Sequence, residues 1–524
     1  MLALCHQKMP ATSLLATMGL IAMGVGCGSS AVDSEPPISE SRAAASVAPV
    51  TTVDIDDAET WDLIRMSGQS IGYQVTRWKR AVVRGVEIRQ ISADSTLKLQ
   101  RFGQVTEQKM SITSRDTLSG QLQSFVTRVA AGNSPIVTTG LRSAGQLNLE
   151  TAAGSQKQAW TLPVPDGCGG LFAVESDLLR RPMKPKESRS LTAFLPVLNL
   201  VATVELTALE IERVQLLGQS KPLLHIVSQT RIAPGQSLQT DLWCDVAGQI
   251  LKSEMDSLQQ ETIRVQKQIA LGELTGQFDL GNASIVKIDP PLSSPQKTGQ
   301  VRYLAKLETE NPATVFAERP YQKILPIDAH QAAIQVTAVR PSMTDSPVED
   351  GPPQDSDREP SAAIQSRDPL IQQLANQISA VDDDPWTVAV AIEEFVHGFV
   401  TEKNFSTAFA SAAEVAKTRS GDCTEHAVLA AAICRARGIP ARIVIGLVYV
   451  PSQSGFAFHM WNEVWVRDQW IPIDATLGRG GIAADHLVLA TSSFDAQQSF
   501  ASFLPVIQTI GQLTLVLKDV ESAP

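Results

Sequence analysis

The sequence lacks an excess of basic residues. Its 524 residues include 44 Lys and Arg against 55 Asp and Glu, which gives a formal net charge of -11. No run of Lys or Arg stands out, although binding to a phosphate backbone requires basic patches. This composition therefore excludes nucleic acid from the expected partners.

Long apolar segments are absent after the N-terminal region. The run Ala11 to Gly26 has 16 small and aliphatic residues after the basic Lys8, fewer than the about 20 that span a bilayer, and is typical of a secretory signal. It ends at Cys27 in a sequence that resembles a bacterial lipoprotein signal, in which Cys27 would be lipidated and would tether the protein to a membrane. An ordinary cleaved signal and a single N-terminal anchor are the alternatives.

We therefore expect residues 1–27 to be a signal peptide and the small, polar residues 28–50 to be a flexible tether. The mature protein is then exported to the periplasm or the cell envelope, with or without a lipid anchor.

Cysteines are few, and four lie beyond the signal region: Cys168, Cys244, Cys423 and Cys434. An exported protein tolerates disulfides, so Cys168 and Cys244 either pair or remain buried thiols. Cys423 and Cys434 cannot pair within one helix, because 11 residues at about 1.5 Å per residue exceed the about 7 Å that a disulfide spans.

Paired Cys-x-x-Cys and His-x-x-x-His spacings are also absent, so we expect no metal site. A zinc site formed by Cys423, His426 and His459 is conceivable from the residue types alone.

The pattern of polar and apolar residues divides the rest of the chain. Residues 51–275 alternate with period two, as in Thr96 to Gln100 and Gln146 to Glu150, and turn signals recur between such runs. This predicts a β-rich domain with a large antiparallel sheet, curled into a partial barrel, followed by a small β segment at 276–340. The domain either docks a partner or holds a ligand in its concave face.

Residues 341–365 contain six acidic residues and four prolines between Asp345 and Pro360, which predicts a solvated linker. After it, Leu370, Leu374, Ile378 and Val381 recur at helical spacing, and Val388 to Val400 predicts a second helix. Residues 366–524 are therefore expected to form an α+β domain.

A cysteine lies at the predicted start of the next helix. Asp422 is a favourable N-cap residue, and Glu425 three positions later completes a capping box. The helix is predicted to run from Cys423 to Arg437, with Gly438 as its C-terminal stop. Helix N-termini favour negative charge, and thiols placed there can have a pKa lowered from about 8.5 to roughly 3.5–7.5. We therefore expect Cys423 to be an activated nucleophile.

Two predicted strands, Phe458 to Val466 and Trp470 to Thr476, follow as a hairpin. The hairpin places His459 and Asp474 on neighbouring strands. In a catalytic triad, His459 would take the thiol proton, and Asp474 would accept a hydrogen bond from the other ring nitrogen. The backbone N–H of Cys423 is a candidate oxyanion donor.

Four ordered stretches carry a family resemblance: Gly421-Asp422-Cys423-Thr424-Glu425-His426-Ala427, Arg437-Gly438-Ile439-Pro440-Ala441-Arg442, His459-Met460-Trp461-Asn462-Glu463-Val464-Trp465-Val466 and Trp470-Ile471-Pro472-Ile473-Asp474-Ala475-Thr476. Together they resemble the transglutaminase-like superfamily over about residues 366–490. The resemblance implies a papain-like fold and the triad Cys423, His459 and Asp474, with no metal and no cofactor. It also implies chemistry on amide bonds, which in this superfamily is transfer, hydrolysis or, in some members, none.

The expected fold is multidomain, with an antiparallel β-rich N-terminal region and a C-terminal α+β papain-like, transglutaminase-like domain. The expected function is that of an exported thiol enzyme on protein or peptide substrates, either a peptidase or amidase or a protein-glutamine acyltransferase. The alternative is a catalytically silent protein of the same fold that binds or assembles at the cell envelope. His486 and Cys434 are expected to have packing roles. His426 either packs and hydrogen-bonds or supports the site beside Cys423, and Trp461 either packs in the hairpin or lines the cleft.

Overall fold

The computed structural model describes residues 58–522 except for 84, 131–134, 155, 234–235, 273, 275–277, 341–350, 404–409 and 496–500. The expected signal peptide, the tether and Cys27 lie outside the described residues. Within the described ranges, no helix combines the length and apolar character needed to cross a membrane.

In the described chain, the N-terminal region forms one 14-stranded sheet with the order β8 back to β1, followed by β14 back to β9. Neighbouring strands pair antiparallel throughout, and the first and last strands of the region meet at its centre. The strands are β1 (Ala58–Met66), β2 (Gln69–Val83), β3 (Val86–Arg101), β4 (Gln104–Thr117), β5 (Leu122–Val129), β6 (Ile136–Ser143), β7 (Gln146–Ala153), β8 (Gln156–Pro163), β9 (Ser188–Leu195), β10 (Leu200–Leu216), β11 (Gln219–Ala233), β12 (Gln236–Cys244), β13 (Ile250–Met255) and β14 (Gln260–Val265).

The prediction of a large antiparallel sheet from the alternating pattern is confirmed. In β3, Leu97 and Leu99 are buried while Lys98 between them is partly exposed, and β7 repeats the alternation at Leu147 and Leu149. Since successive side chains of a strand point to opposite faces, one face of the sheet becomes apolar and must be covered.

The sheet curls so that its two ends meet. The ring of Phe125 in β5 lies 5.0 Å from that of Phe194 in β9, at the opposite edge of the strand order. Cys168 belongs to the apolar cluster formed there, whereas Cys244 lies in a separate cluster. Both are buried free thiols, so the open question of a disulfide is answered against pairing.

The helices are short in the N-terminal half and longer in the C-terminal half. They are α1 (Ala173–Arg180), α2 (Lys267–Ala270), α3 (Leu280–Ala283), α4 (Pro312–Val315), α5 (Pro369–Gln377), α6 (Pro385–Phe399), α7 (Ala412–Thr418), α8 (Cys423–Ala436) and α9 (Leu504–Thr509). Two of the predicted C-terminal helices are α5 and α6. The prediction extended the first too far, because α5 ends at Gln377 and Val381 lies beyond it with its side chain exposed.

The C-terminal region has two further sheets. In one, β15 (Val286–Lys287), β22 (Gly455–Val466), β21 (Ala441–Val450) and β24 (His486–Ser492) lie side by side, and β23 (Gln469–Ile473) pairs with β22. In the other, the order is β17 (Gln322–Pro326), β18 (Gln331–Thr337), β16 (Thr298–Lys306) and β25 (Thr514–Ser522). Short paired strands at Glu402–Lys403 and Ser420–Gly421, β19 and β20, precede α8.

The segment expected as a separate unit at 276–340 is built into the C-terminal region. Its strand β15 extends the sheet that carries β22, and its strand β16 pairs with β25 near the end of the chain. The hydroxyl of Tyr303 in β16 donates to the carbonyl of Ala484 at 2.8 Å. The segment therefore packs with the C-terminal region rather than as a separate unit.

The expected solvated linker is wrong for its described part, residues 351–365. Asp357 and Ile364 are buried, and Ser493 Oγ donates to Asp357 Oδ1 at 2.5 Å. The buried guanidinium of Arg435, at the end of α8, donates to the carbonyl of Glu359 at 2.7 Å. A buried cation must be hydrogen-bonded, and this acidic stretch supplies a partner that composition alone does not reveal.

Candidate active site

Cys423 is the first residue of α8, as predicted. Asp422 is the N-cap, and its Oδ1 accepts from the backbone N–H of Thr424 at 2.7 Å. The carboxylate of Glu425 accepts in return from the backbone N–H of Asp422 at 3.0 Å, which completes the capping box. The positive φ of Gly438, +77°, follows the helix end. Cys423 is therefore held where backbone N–H groups converge, and its residue exposure is 8%.

The two capping carboxylates are buried, and burial is the largest cause that raises the pKa of both Asp422 and Glu425. Arg101, the last residue of β3, lies 3.8 Å from Asp422 Oδ2 by its Nη2 and is itself buried. The turn after it is anchored because Asp279 accepts from the backbone N–H of Phe102 at 3.0 Å. The N-terminal sheet thus contributes a cation next to the cysteine.

The first turn of α8 packs against the strand that bears His459. Thr424 Oγ1 contacts Met460 Sδ at 3.5 Å, so the residues that follow Cys423 and His459 touch. One helical turn on, Asn462 Nδ2 donates to the carbonyl of Ala427 at 2.9 Å. These contacts fix the register of α8 on β22, the strand that bears His459.

His459 and Asp474 are paired. The ring Nε2 of His459 donates to Asp474 Oδ2 at 2.8 Å, and both residues are buried. The other carboxylate oxygen accepts from the backbone N–H groups of Thr476 at 2.9 Å and Leu477 at 3.3 Å. Burial alone would raise the pKa of Asp474, but the charges and hydrogen bonds of the neighbouring histidines hold it well below its usual range. Asp474 is therefore an anion at neutral pH.

Glu393 in α6 is part of this arrangement and was missed from the sequence. Its Oε1 accepts from the backbone N–H groups of Arg479 and Gly480, both at 3.1 Å, and from that of Asp474 at 3.4 Å. Burial, followed by the charge of Asp474, raises its pKa to about 7. The available signal was a glutamate between Ile392 and Val396 on the apolar face of a predicted helix.

His486 was assigned a packing role and also belongs to the site. It is fully buried in β24, with Nε2 at 3.2 Å from Asp474 Oδ2 and Nδ1 at 2.6 Å from Asp485 Oδ1. Desolvation opposes its charge, but the two carboxylates raise its pKa to about 9. No local sequence signal marks it, because its partnership with Asp474 depends on how β24 lies beside β21.

A family model matches part of the C-terminal region. Residues 372–475, which include all three residues of the expected triad, match the model described as the transglutaminase-like superfamily. The C-terminal region is transglutaminase-like. No curated protein matches the chain.

Three solved structures resemble parts of the chain. A "putative cysteine protease" from Cytophaga hutchinsonii is 19% identical, covers 44% of this chain and 84% of its own, and has a TM-score of 0.25. A β-barrel-like protein of a domain of unknown function from Brucella abortus is 10% identical, with coverages of 41% and 98% and a TM-score of 0.31. A "putative protease" from Parabacteroides distasonis is 10% identical, with coverages of 75% and 64% and a TM-score of 0.17. With such low scores, nothing about activity follows from these likenesses.

The transglutaminase-like region contains one cluster of metal-ligand types among its described residues. His459, Asp474 and His486 present ligand atoms within 4.8 Å of one another. The Nε2 atoms of His459 and His486 both lie within hydrogen-bonding distance of one oxygen, Asp474 Oδ2, at 2.8 and 3.2 Å, and Nδ1 of His486 lies 2.6 Å from Asp485. Cys423, His426 and His459 do not form such a cluster within the described residues. The Nδ1 of His426 instead donates to the backbone carbonyl of Asp422. The cluster fits acid–base chemistry better than metal binding.

Trp461 packs in the hairpin rather than lining a cleft. It is fully buried, with its ring 5.9 Å from that of His459 at an interplanar angle of 22°. It therefore supports the histidine from within the core and offers no surface to a substrate.

The stability of the fold should decrease at alkaline pH because of His486. Its folded-state pKa of about 9 exceeds the ordinary 6.5, so its stabilising contribution is complete below about pH 6.5 and is lost as pH rises through about 9. We expect the difference in unfolding free energy between wild type and His486→Gln to shrink by about 3 kcal/mol from pH 6.5 to 10. Urea denaturation at several pH values measures it. A difference that does not change with pH contradicts the prediction.

Proposed function

We propose that this chain is an exported thiol enzyme that acts on amide bonds of proteins or peptides through Cys423, His459 and Asp474. The observation that carries the proposal is the buried 2.8 Å hydrogen bond from His459 Nε2 to Asp474, beside the first turn of the helix that Cys423 begins. The match to the transglutaminase-like superfamily over residues 372–475 supports the same chemistry.

The first half-reaction is acylation. Cys423 gives its proton to Nδ1 of His459, since Nε2 is engaged with Asp474. The thiolate attacks the substrate carbonyl carbon, a C–S bond forms, and the oxygen takes the negative charge. Backbone N–H groups at the start of α8, including that of Cys423, stabilise this oxyanion. His459 then protonates the departing amine, the C–N bond breaks, and a thioester remains.

The second half-reaction depends on what attacks the thioester. His459 takes a proton from the attacking water or primary amine, and Cys423 leaves as a thiolate. Water gives a carboxylic acid and an amine gives a new amide. Asp474 keeps the imidazole oriented through both steps.

A catalytically silent binding or assembly protein at the cell envelope is the second candidate. The observation that favours it is the low exposure of the site, 8% for Cys423 and 5% for His459. A binding protein that inherited the fold needs no path for a substrate to the thiol.

Thiol labelling separates the two candidates. We expect iodoacetamide at pH 6–7 to modify Cys423 at least about tenfold faster than Cys434, because Cys423 combines a helix start with a histidine. Cys434 is fully buried, and burial raises the pKa of its thiol to about 12. His459→Ala should slow the labelling of Cys423 and leave Cys434 unchanged. Peptide mass spectrometry gives both rates, and equal rates would support the silent protein.

Hydrolysis should predominate over transfer. Transfer requires a site that holds an amine in preference to water at about 55 M, which depends on precise positioning. Trp461, two residues after His459 in sequence, is fully buried and cannot form a wall for an amine. We expect an acyl-donor peptide library to yield mainly free acid even with a millimolar primary amine, as resolved by mass. Cys423→Ser is the blank, and a dominant amide product that this variant abolishes would instead make the protein a transglutaminase in activity.

The proposed location is the periplasm or cell envelope, with Cys27 as a lipid anchor. If Cys27 is lipidated, the mature protein partitions into detergent, and Cys27→Ala abolishes this behaviour while Cys5→Ala preserves it. Phase partition and mass spectrometry of the mature N-terminus test the proposal. A mature N-terminus elsewhere, without a lipid mass, excludes the anchor.

A further inference from the structure

His486 is held between two carboxylates. Its Nε2 lies 3.2 Å from Asp474 Oδ2 and its Nδ1 lies 2.6 Å from Asp485 Oδ1. A neutral imidazole donates from only one of its nitrogens, whereas the imidazolium donates from both. Because both neighbours are acceptors when ionised, this geometry favours the charged ring.

The surroundings maintain this charge. Asp485 is buried, and its other oxygen accepts from Arg479 Nη1 at 3.1 Å. The charges therefore alternate in sign along the contacts that run from Arg479 through Asp485 and His486 to Asp474. The ring of Trp461 meets that of His486 edge-on at 5.1 Å, and both side chains are fully buried. The pKa of His486, raised to about 9, agrees with this arrangement.

One carboxylate oxygen of Asp474 consequently accepts hydrogen bonds from two histidines. Its Oδ2 accepts from His459 at 2.8 Å and from His486 at 3.2 Å. The ring centroids of His459 and His486 are 6.1 Å apart, a distance at which two cations repel appreciably in a protein interior. When His459 takes the thiol proton, it becomes a second cation on the same carboxylate.

We propose that His486 is a positioning residue for the triad: a standing imidazolium that fixes Asp474 in one orientation and competes with His459 for its charge. It thereby places a fixed positive charge 6.1 Å from the ring that takes the thiol proton, measured between the two ring centroids. This role rests on the proposed function of Cys423, His459 and Asp474. The carboxylates that contact His486 are Asp474 and Asp485. The other charged or titratable side chains that face His486 or these two carboxylates are His459, Arg479, Glu393 and Tyr303.

The first arm of the test is spectroscopic and needs no activity. The full chain is labelled with ¹⁵N-histidine, and the His486 signals are assigned by their loss in His486→Gln. We expect both ring nitrogens of His486 to have the shifts of protonated nitrogen at pH 7.5. A neutral tautomer at that pH overturns the proposal.

The second arm measures the rate at which iodoacetamide alkylates Cys423 from pH 5 to 10. Glutamine at position 486 keeps an N–H donor near Asp474 but carries no charge. We expect the alkaline step of the profile to move up by about one pH unit or more in His486→Gln, because the charge that repels a second cation is then absent. A merely structural role would change stability and leave this step where it is, which would overturn the proposal.

The matched control is His225→Gln. His225 also lies between two carboxylates, at 2.7 Å from Asp241 and 3.6 Å from Glu212, but on the N-terminal sheet. This variant should retain the wild-type profile, and a shift there equal to that of His486→Gln would overturn the proposal.

If His486→Gln does not fold, Asp485→Asn combined with His486→Gln removes one charge of each sign and should move the alkaline step in the same direction. An unmoved step in that double variant overturns the proposal. If wild-type Cys423 is alkylated no faster than Cys434, the proposed function fails, while the spectroscopic arm still decides the state of His486.

Discussion

A buried carboxylate, Asp474, is the constraint around which the C-terminal region is organised. Removing an ionised carboxylate from water costs several kcal/mol unless hydrogen bonds and counter-charges replace the lost solvation. Here two backbone N–H groups occupy one oxygen and two imidazoles occupy the other. The chain after β23 must therefore bend back on itself, and β24 must lie where His486 reaches the same oxygen. His459 itself lies opposite Gly446, in the middle of the β21–β22 ladder.

The N-terminal sheet is joined to this centre rather than attached by a spacer. Arg101 at the end of β3 lies 3.8 Å from the carboxylate of Asp422, directly before the cysteine. Asp422 and Glu425 would place two buried negative charges beside a thiol that must itself become an anion, and Arg101 offsets part of that repulsion. One apolar cluster also runs from Leu99 in the sheet through Tyr303 to Leu429 in α8. The two halves therefore share one hydrophobic core, and Arg101 of the N-terminal half compensates negative charge beside Cys423.

The parts of this structure that depend on neighbouring residues could be predicted from sequence. The start of α8 was predicted because Asp422 and Glu425 satisfy backbone groups within one turn. The β22–β23 hairpin was predicted because the short turn Arg467 to Gln469 separates two strand-like runs, and in the structure Arg467 and Asp468 form this turn with positive φ. The packed state of residues 351–365 was missed, because it depends on Arg435, a residue far along the chain.

The register that pairs His459 with Asp474 could not be derived from the pattern, since Asp474 lies just beyond the last strand pair, Asn462 with Ile473. The roles of Glu393 and His486 could not be predicted from the sequence for a similar reason. Each residue reaches the site through a contact with Asp474 that no single helical turn or hairpin brings about.

The charge distribution around the site bears on the choice between an enzyme and a silent protein. Besides Asp474, the buried carboxylates of Glu393, Asp422, Glu425 and Asp485 lie in or beside the cluster. Replacing buried ionic groups with apolar side chains of similar volume is often neutral or stabilising, so such a cluster is not retained for stability alone. A binding protein could keep the fold with an apolar interior at this position. A catalytic site must move a proton between a thiol, an imidazole and a departing amine. Such a site needs an anion that orients the imidazole, and a cation beside that anion keeps the imidazole from holding the proton too tightly. The alternating charges from Arg479 to His459 meet that need, and they therefore favour the enzymatic interpretation.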